Sequence, residues 1–206
     1  MAQVKFVDLE QLPPSEQFLS EREQAFLQTL KFPKRRSEWL GGRFALKALV
    51  SVAQQVELYQ AELLPQANSG KPDLYICGQK SALAFSITHS HGFAAAAIAP
   101  RHKFIGIDLE KIAPRINAWK ENFFHPNELT GAGDAFLTAL WTQKEAAVKL
   151  LGTGLTVNSF DVRCVGGKVS FYGRAQEIYQ ALGSPQIALT TQFEPEGFCF
   201  SIAVGA

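Results

Sequence analysis

Asp108, Glu110, Glu145 and Lys149 have the types and spacing to do chemistry together. Asp108 and Glu110 end the run Phe104-Ile105-Gly106-Ile107-Asp108-Leu109-Glu110, which reads as a short buried strand. Strand side chains alternate, so Ile105, Ile107 and Leu109 face one way and Gly106, Asp108 and Glu110 the other. Two acids on one face repel each other, and each is costly to bury alone. A hard divalent cation such as Mg²⁺ relieves both problems with oxygen ligands. The alternative is a strand running into solvent with two ordinary surface acids. Glu145 shares a helical stripe with Trp141, Val148 and Lys149, at i, i+4, i+7 and i+8. On that stripe it is partly buried and needs a metal or Lys149, one turn and about 6 Å along. The alternative is a surface i,i+4 pair worth a few tenths of a kcal/mol.

The elements that must position these groups follow from the rest of the chain. Residues 3–8 suggest a first strand. After Pro13-Pro14, Ser15 caps a helix to about Leu30, and Pro33 opens a second helix to about Val52. The second helix carries Arg36, Arg43 and Lys47 on one face, read either as a solvated charged face or as a phosphate contact suited to the arginine fork. Residues 55–67 are ambiguous. Asn68-Ser69-Gly70-Lys71-Pro72 is a turn that either aims Lys71 at a phosphate or is simply exposed. Ala82–Thr88 and Phe93–Ala99 form a hairpin joined by His89-Ser90-His91-Gly92, where His89 is either exposed or within reach of an anion. Ala113–Trp119 is a loop or short helix, and Pro126-Asn127 a turn. The strongest helix begins at an Asp134 cap and stops at Gly152. The remainder is β-rich (Ser159–Cys164, Lys168–Phe171, Ile187–Phe193, Phe198–Val204), with a helix over Gly173–Leu182 and a final hairpin. The two hairpins hint at two related halves.

Composition narrows the class. The chain has 206 residues, 47% of them hydrophobic and 16 of them Phe, ample for a real core. A formal charge of +1 gives no field toward nucleic acid or membrane. Cys77, Cys164 and Cys199 are dispersed, without a C-x-x-C, which fits a reducing compartment better than a disulfide or zinc site. No apolar run is long enough to span a bilayer, so a cytoplasmic protein is expected.

Three segments in this order resemble the Sfp-type 4′-phosphopantetheinyl transferases. They are Gly70-Lys71-Pro72 with Phe85-Ser86-Ile87-Thr88-His89-Ser90, then Ile105–Glu110, then Trp141-Thr142-Gln143-Lys144-Glu145-Ala146-Ala147-Val148-Lys149. The last is similar to the W-[ST]-x-K-E-[SA]-x-x-K signature of the W/KEA-like subgroup, and Phe124…Glu128 resembles the family's connecting stretch. Thr88 stands where many relatives carry Ser. The resemblance implies an α+β chain of two pseudo-twofold-related halves, 1–103 and 104–206, with coenzyme A in the cleft between them. It implies transfer of 4′-phosphopantetheine to a serine of an acyl or peptidyl carrier protein, leaving adenosine 3′,5′-bisphosphate. The implied metal ligands are Asp108, Glu110 and Glu145, for Mg²⁺ or alternatively Mn²⁺. Lys149 would act on the phosphate, and Glu145 or Glu128 would serve as base. Coenzyme A would meet Arg36, Arg43, Lys71, Pro72, Thr88, His89 and Lys149. Phe123 and Phe124 are candidates for carrier docking, and a monomer is expected.

Two other readings compete. One is a non-catalytic coenzyme A or carrier-protein module of the same fold. Loss of the acids or Lys149 would favour it, and all are present. The other is a different Mg²⁺-dependent phosphodiester enzyme, against which the Trp141–Lys149 pattern argues. A nucleic-acid substrate would leave strongly salt-dependent binding, and the near-neutral charge gives no sign of one.

Overall fold

The structure is a computed structural model that describes residues 2–66, 71–153 and 156–206. The expected turn at Asn68-Ser69-Gly70 lies outside the described residues. The chain divides into two units, Met1–Pro100 and Arg101–Ala206; the sequence reading placed the boundary at 103/104. The class is α+β.

The first unit opens with strand β1 (Gln3–Asp8) and helices α1 (Glu21–Thr29) and α2 (Pro33–Gln54). Strands β2 (Ala61–Leu64), β3 (Asp73–Ile76) and β4 (Gln79–Lys80) follow, then β5 (Phe85–Ser90) and β6 (Phe93–Ile98). The main sheet has the antiparallel order β1-β6-β5, and β2-β3-β4 form a small second sheet. Strand β6 is alanine-rich for a packing reason: Ala94 to Ala97 and Ile98 are fully buried, and α2 lies across the sheet. Gly41 permits that approach, since a Cβ there would meet Leu9 Cδ2 at 2.1 Å.

Several expectations shift here. Ser15 begins a short 3₁₀ turn, and the cap of α1 is Ser20, whose hydroxyl accepts from Glu23 N while Glu23 accepts from Ser20 N. That reciprocal capping box is spelled Ser20-x-x-Glu23 in the sequence. Strand β5 also runs two residues further than expected. The hairpin turn is His91-Gly92, both at positive φ (43° and 86°), so the connection is a tight two-residue turn rather than four residues.

The second unit comprises β7 (Phe104–Lys111), α3 (Asn117–Phe123), α4 (Asp134–Leu151), β8 (Val162–Val165), β9 (Lys168–Phe171), α5 (Gly173–Ala181), β10 (Ile187–Gln192) and β11 (Phe198–Gly205). Its main sheet is antiparallel in the order β10-β11-β7, and β8-β9 form a separate hairpin. Helix α4 packs on β7 and β11. Gly152 ends it in the left-handed region, as read from the sequence. Its start is corrected: Gly133 holds the N-cap position, and Asp134 is already the first helical residue, its charge favourable at that end.

The order of elements therefore repeats. In each unit a first strand, helices, a small separate sheet (three strands in the first unit, two in the second) and a final hairpin follow in that order, and the first strand and the hairpin build a three-stranded sheet with the last strand in the middle.

Candidate active site

The four residues singled out first come together in the second unit. Gly106, Asp108 and Glu110 share the face of β7 on which α4 packs, while Ile105, Ile107 and Leu109 are buried on the opposite face. Gly106 is what lets the helix settle there. A Cβ on it would stand 2.0 Å from Ala146 O and 2.4 Å from Leu150 N, both helix backbone atoms. The glycine of the strand motif thus sets how closely Glu145 and Lys149 approach the strand acids.

Asp108 is buried, at 6% exposure. Its Oδ1 accepts from Lys149 Nζ at 2.7 Å. Lys149 therefore reaches across to the strand acid rather than along its own helix to Glu145. Burial pushes the Glu145 carboxyl above its usual range; the charges of Asp108 and Glu110 add to the shift and that of Lys149 opposes it. Glu110 Oε2 lies 3.9 Å from Arg115 Nη2, whose guanidinium stacks over Trp119 at 4.8 Å. Glu145 is thus in electrostatic contact with two other carboxylates, Asp108 and Glu110, and with the Lys149 ammonium.

Among the described residues, no group of three or more His, Cys, Asp or Glu forms a metal-binding cluster. The donor chemistry still fits Mg²⁺, which commonly takes one or two carboxylates and completes its octahedral shell from substrate phosphate and water. Asp108 and Glu110 supply hard oxygens, and a cation would neutralise the charge that these acids and Glu145 bring together.

Glu128 is not placed to act as a base. It is 1% exposed and both of its oxygens are engaged. Oε2 accepts from Lys144 Nζ at 2.7 Å and His125 N at 2.8 Å, and Oε1 accepts from Cys164 N at 2.8 Å. Lys144, also 1% exposed, donates to Phe123 O at 2.8 Å and lies over the Phe124 ring. Burial pulls its pKa down against the raising effect of Glu128. The same packing corrects a docking candidate. Phe124 is 2% exposed and packs edge-on to Trp119 and Trp141, so it offers no surface. The thiol of neighbouring Cys164 is pushed up to about 12 by burial and by Glu128, which rules it out as a nucleophile.

In the first unit the basic face of α2 turns inward. Lys47 is fully buried, with Nζ 2.5 Å from Glu23 Oε2 and 3.4 Å from Leu58 O. Arg43 lies over Trp39 at 3.5 Å, with Nε 3.7 Å from Glu23 Oε1 and Nη2 3.4 Å from Leu63 O. Burial lowers its guanidinium to about 10, against the pull of Glu23. Arg36 closes the end of α1 by donating from Nη1 to Leu27 O at 2.7 Å and Leu30 O at 3.2 Å. Arg36 and Arg43 are thus structural groups here, not a phosphate-binding face. The sequence showed the shared face but not its partner, because Glu23 lies on another helix.

The remaining first-unit candidates differ in exposure. Lys71 is exposed along its length, but its ammonium lies over the Phe85 ring at 4.9 Å, and crowding there lowers its pKa. Pro72 adjoins it, half-buried. Thr88 is buried in β5, and His89, on the alternate face, has Nδ1 3.6 Å from Glu38 Oε1 on α2. No helix among the described residues is long and apolar enough to cross a membrane.

Comparison with known proteins gives a consistent picture. Residues 104–191 match the model of the 4′-phosphopantetheinyl transferase superfamily. The chain is 28% identical over 75% of its length to 4′-phosphopantetheinyl transferase psf-1 of Bacillus pumilus, covering 66% of that protein. It is 31% identical over 66% of its length to 4′-phosphopantetheinyl transferase HetI of Nostoc sp., covering 61% of it. The match to a putative 4′-phosphopantetheinyl transferase of Synechocystis sp. is 28% identical over 70% of the chain and 61% of the relative. In each case the chain spans less than two thirds of the relative's own length. A solved ACPS–CoA complex from Chronobacterium ammoniagenes is 19% identical, with a TM-score of 0.40, over 49% of this chain and 94% of that one. The resemblance carried by the Ile105–Glu110 and Trp141–Lys149 segments is borne out, and the chain is a relative of the 4′-phosphopantetheinyl transferases, matching their superfamily model over residues 104–191.

Proposed function

We propose that this protein transfers the 4′-phosphopantetheine group of coenzyme A to a serine hydroxyl of an acyl or peptidyl carrier protein. The observation that carries the reading is the meeting of Lys149 and Glu145 of α4 with Asp108 and Glu110 of β7, inside the segment that matches the superfamily. In the reaction the serine Oγ bonds to the phosphorus that bears pantetheine. The bond from that phosphorus to the bridging oxygen breaks, and adenosine 3′,5′-bisphosphate leaves. Charge grows on the leaving phosphate, so cations held in place before the reaction lower the barrier.

Asp108, Glu110 and Glu145 would hold Mg²⁺, or Mn²⁺ in its place. When bound, the ion would supply Lewis-acid polarisation of the pyrophosphate oxygens. Lys149 places its ammonium beside Asp108 and stabilises the phosphate side. Of the two carboxylates considered, Glu145 is the one we assign as base. It takes the serine proton directly or through water, since both oxygens of Glu128 are committed elsewhere. For coenzyme A the contacts we assign are Lys71, Pro72, Thr88, His89 and Lys149. A cytoplasmic monomer is part of the same reading.

The test is the intact mass of an apo carrier protein after incubation with this chain, coenzyme A and Mg²⁺. A gain of one phosphopantetheine that EDTA abolishes supports the proposal. Coenzyme A binding with no mass gain across fatty-acid, polyketide and peptide carriers would instead select the non-catalytic module.

A further inference from the structure

We propose that Glu128 and Lys144 are positioning residues, which fix the rotation and axial register of α4 and so aim Glu145 and Lys149 at the acids of β7. The inference rests on the transferase reading above. Consecutive residues on a helix point about 100° apart. Lys144 therefore faces away from the stripe of Glu145 and Lys149, into its buried pair. Its ammonium ties the middle of α4 to Glu128 and to Phe123 O. Glu128 in turn is tied to β8 through Cys164 N and to its own turn through His125 N.

Two further contacts hold the same stretch of helix. Thr142 Oγ1 and Ser201 Oγ share a hydrogen bond of 2.8 Å, and Ser201 is the register partner of Asp108 across β11 and β7. One turn on, Gly106 admits the backbone at Ala146 and Leu150. These contacts flank Glu145 on both sides. A helix released at Lys144 can roll on the smooth glycine contact, and displacement of reacting groups by about 1 Å costs on the order of 10²-fold in rate.

The first unit provides an internal control. Glu23 and Lys47 make a corresponding buried pair, with Arg43 as a second cation beside Glu23 and with corresponding auxiliary bonds: Oε2 to Lys47 and Ser20 N, Oε1 to Leu63 N, and Lys47 Nζ to Leu58 O. The helix that this pair anchors carries no catalytic acid. A purely structural device predicts equal consequences in the two units, whereas a positioning device predicts unequal ones.

The experiment compares Glu128→Gln and Lys144→Met with Glu23→Gln and Lys47→Met, at a temperature where near-UV circular dichroism shows every variant folded. Glu128→Asp, which keeps the charge but shortens the reach, serves if the others do not fold. The second-unit variants should lose roughly 10–100-fold in kcat, with KM for coenzyme A changed less than about threefold and the pH profile unaltered in shape. The first-unit variants should lose similar thermal stability and keep kcat within about twofold. Unchanged kcat in Glu128→Asp and in every folded second-unit variant, or equal losses in both units, would overturn the positioning role. Loss of one limb of the pH profile would make Glu128 a base instead. No transfer by the unaltered chain would overturn the transferase reading itself, a result distinct from normal transfer by the variants.

Discussion

The two units share an order of elements and a buried Glu–Lys pair, yet the groups proposed for chemistry sit in one of them. Counting from the first residue of each central strand, Phe93 and Phe198, Lys5 takes the place of Asp108 and Val7 that of Glu110. Aligned on the paired lysines, Lys47 and Lys144, Ala48 takes the place of Glu145 and Val52 that of Lys149. Val52 is 80% exposed and apolar, and Lys5 is a cation where the second unit has an acid. What repeats is the scaffold and its means of anchoring a helix to a short strand. The acids and the ammonium are found in the second unit alone at these matched positions. The comparison separates residues that hold the fold from residues proposed for the chemistry.

Substitutions at matched positions can break that comparison. The largest effect is expected at Lys149 and Asp108. Lys149→Ala removes the ammonium proposed to stabilise developing charge and should lower kcat by about 10²–10³-fold, whereas Val52→Ala, its counterpart, should leave kcat unchanged in the same carrier assay. Next comes Gly106→Ala. Its methyl would collide with helix backbone, an overpacking cost of about 1–3 kcal/mol that also moves the stripe of Glu145 and Lys149. Gly41→Ala meets the far end of the Leu9 side chain, which can rotate away. Urea melts should show the smaller loss for Gly41→Ala, with no accompanying loss of turnover.

The buried pairs come third. Breaking one by Lys144→Met leaves the Glu128 carboxylate buried without its cation and should cost about 3–5 kcal/mol in denaturant unfolding. Replacing Glu128 as well should recover part of that loss, because the uncompensated charge is gone.

The smallest effect concerns the surface pair Arg22–Glu62. Burial alone would raise the pKa of Glu62, but the hydrogen bond and charge of Arg22, with a bond from Ser20, hold it below its ordinary value. Between the folded and unfolded values the unfolded chain binds the extra proton, so stability rises with pH across that window. The contribution is complete above the unfolded pKa and is lost as pH falls through the folded one. Arg22→Ala should therefore destabilise by less than about 1 kcal/mol near neutrality, and by nothing in acid below the folded value. A difference that persisted in acid would assign another role to Arg22.

Much of the second unit was legible in the sequence because its signals are local. The alternation in Ile105–Glu110 fixes which side chains share a face, and the spacing of Trp141, Glu145 and Lys149 fixes their stripe. Gly152 stops α4 where a left-handed residue is needed. What stayed hidden depends on tertiary partners. Arg36, Arg43 and Lys47 read as either a solvated charged face or a phosphate contact, because helical spacing reports a shared face and says nothing about what covers it. Glu23, some twenty residues earlier in the chain, neutralises Arg43 and Lys47 and turns them inward. Glu128 looked available as a base for the same reason, since its partners Lys144 and Cys164 arrive from α4 and β8. The Ser20-x-x-Glu23 capping box was readable, and it marks the correct start of α1. Strands β2 to β4 are too short to give a periodic signal of their own.

The most direct measurement is the carrier-protein mass assay run on Asp108→Ala and Lys5→Ala side by side with the unaltered chain, each with coenzyme A and Mg²⁺. The account predicts one added phosphopantetheine from the unaltered chain and from Lys5→Ala, and none from Asp108→Ala although it remains folded. Near-normal transfer by Asp108→Ala would contradict the assignment of the chemistry to the second unit.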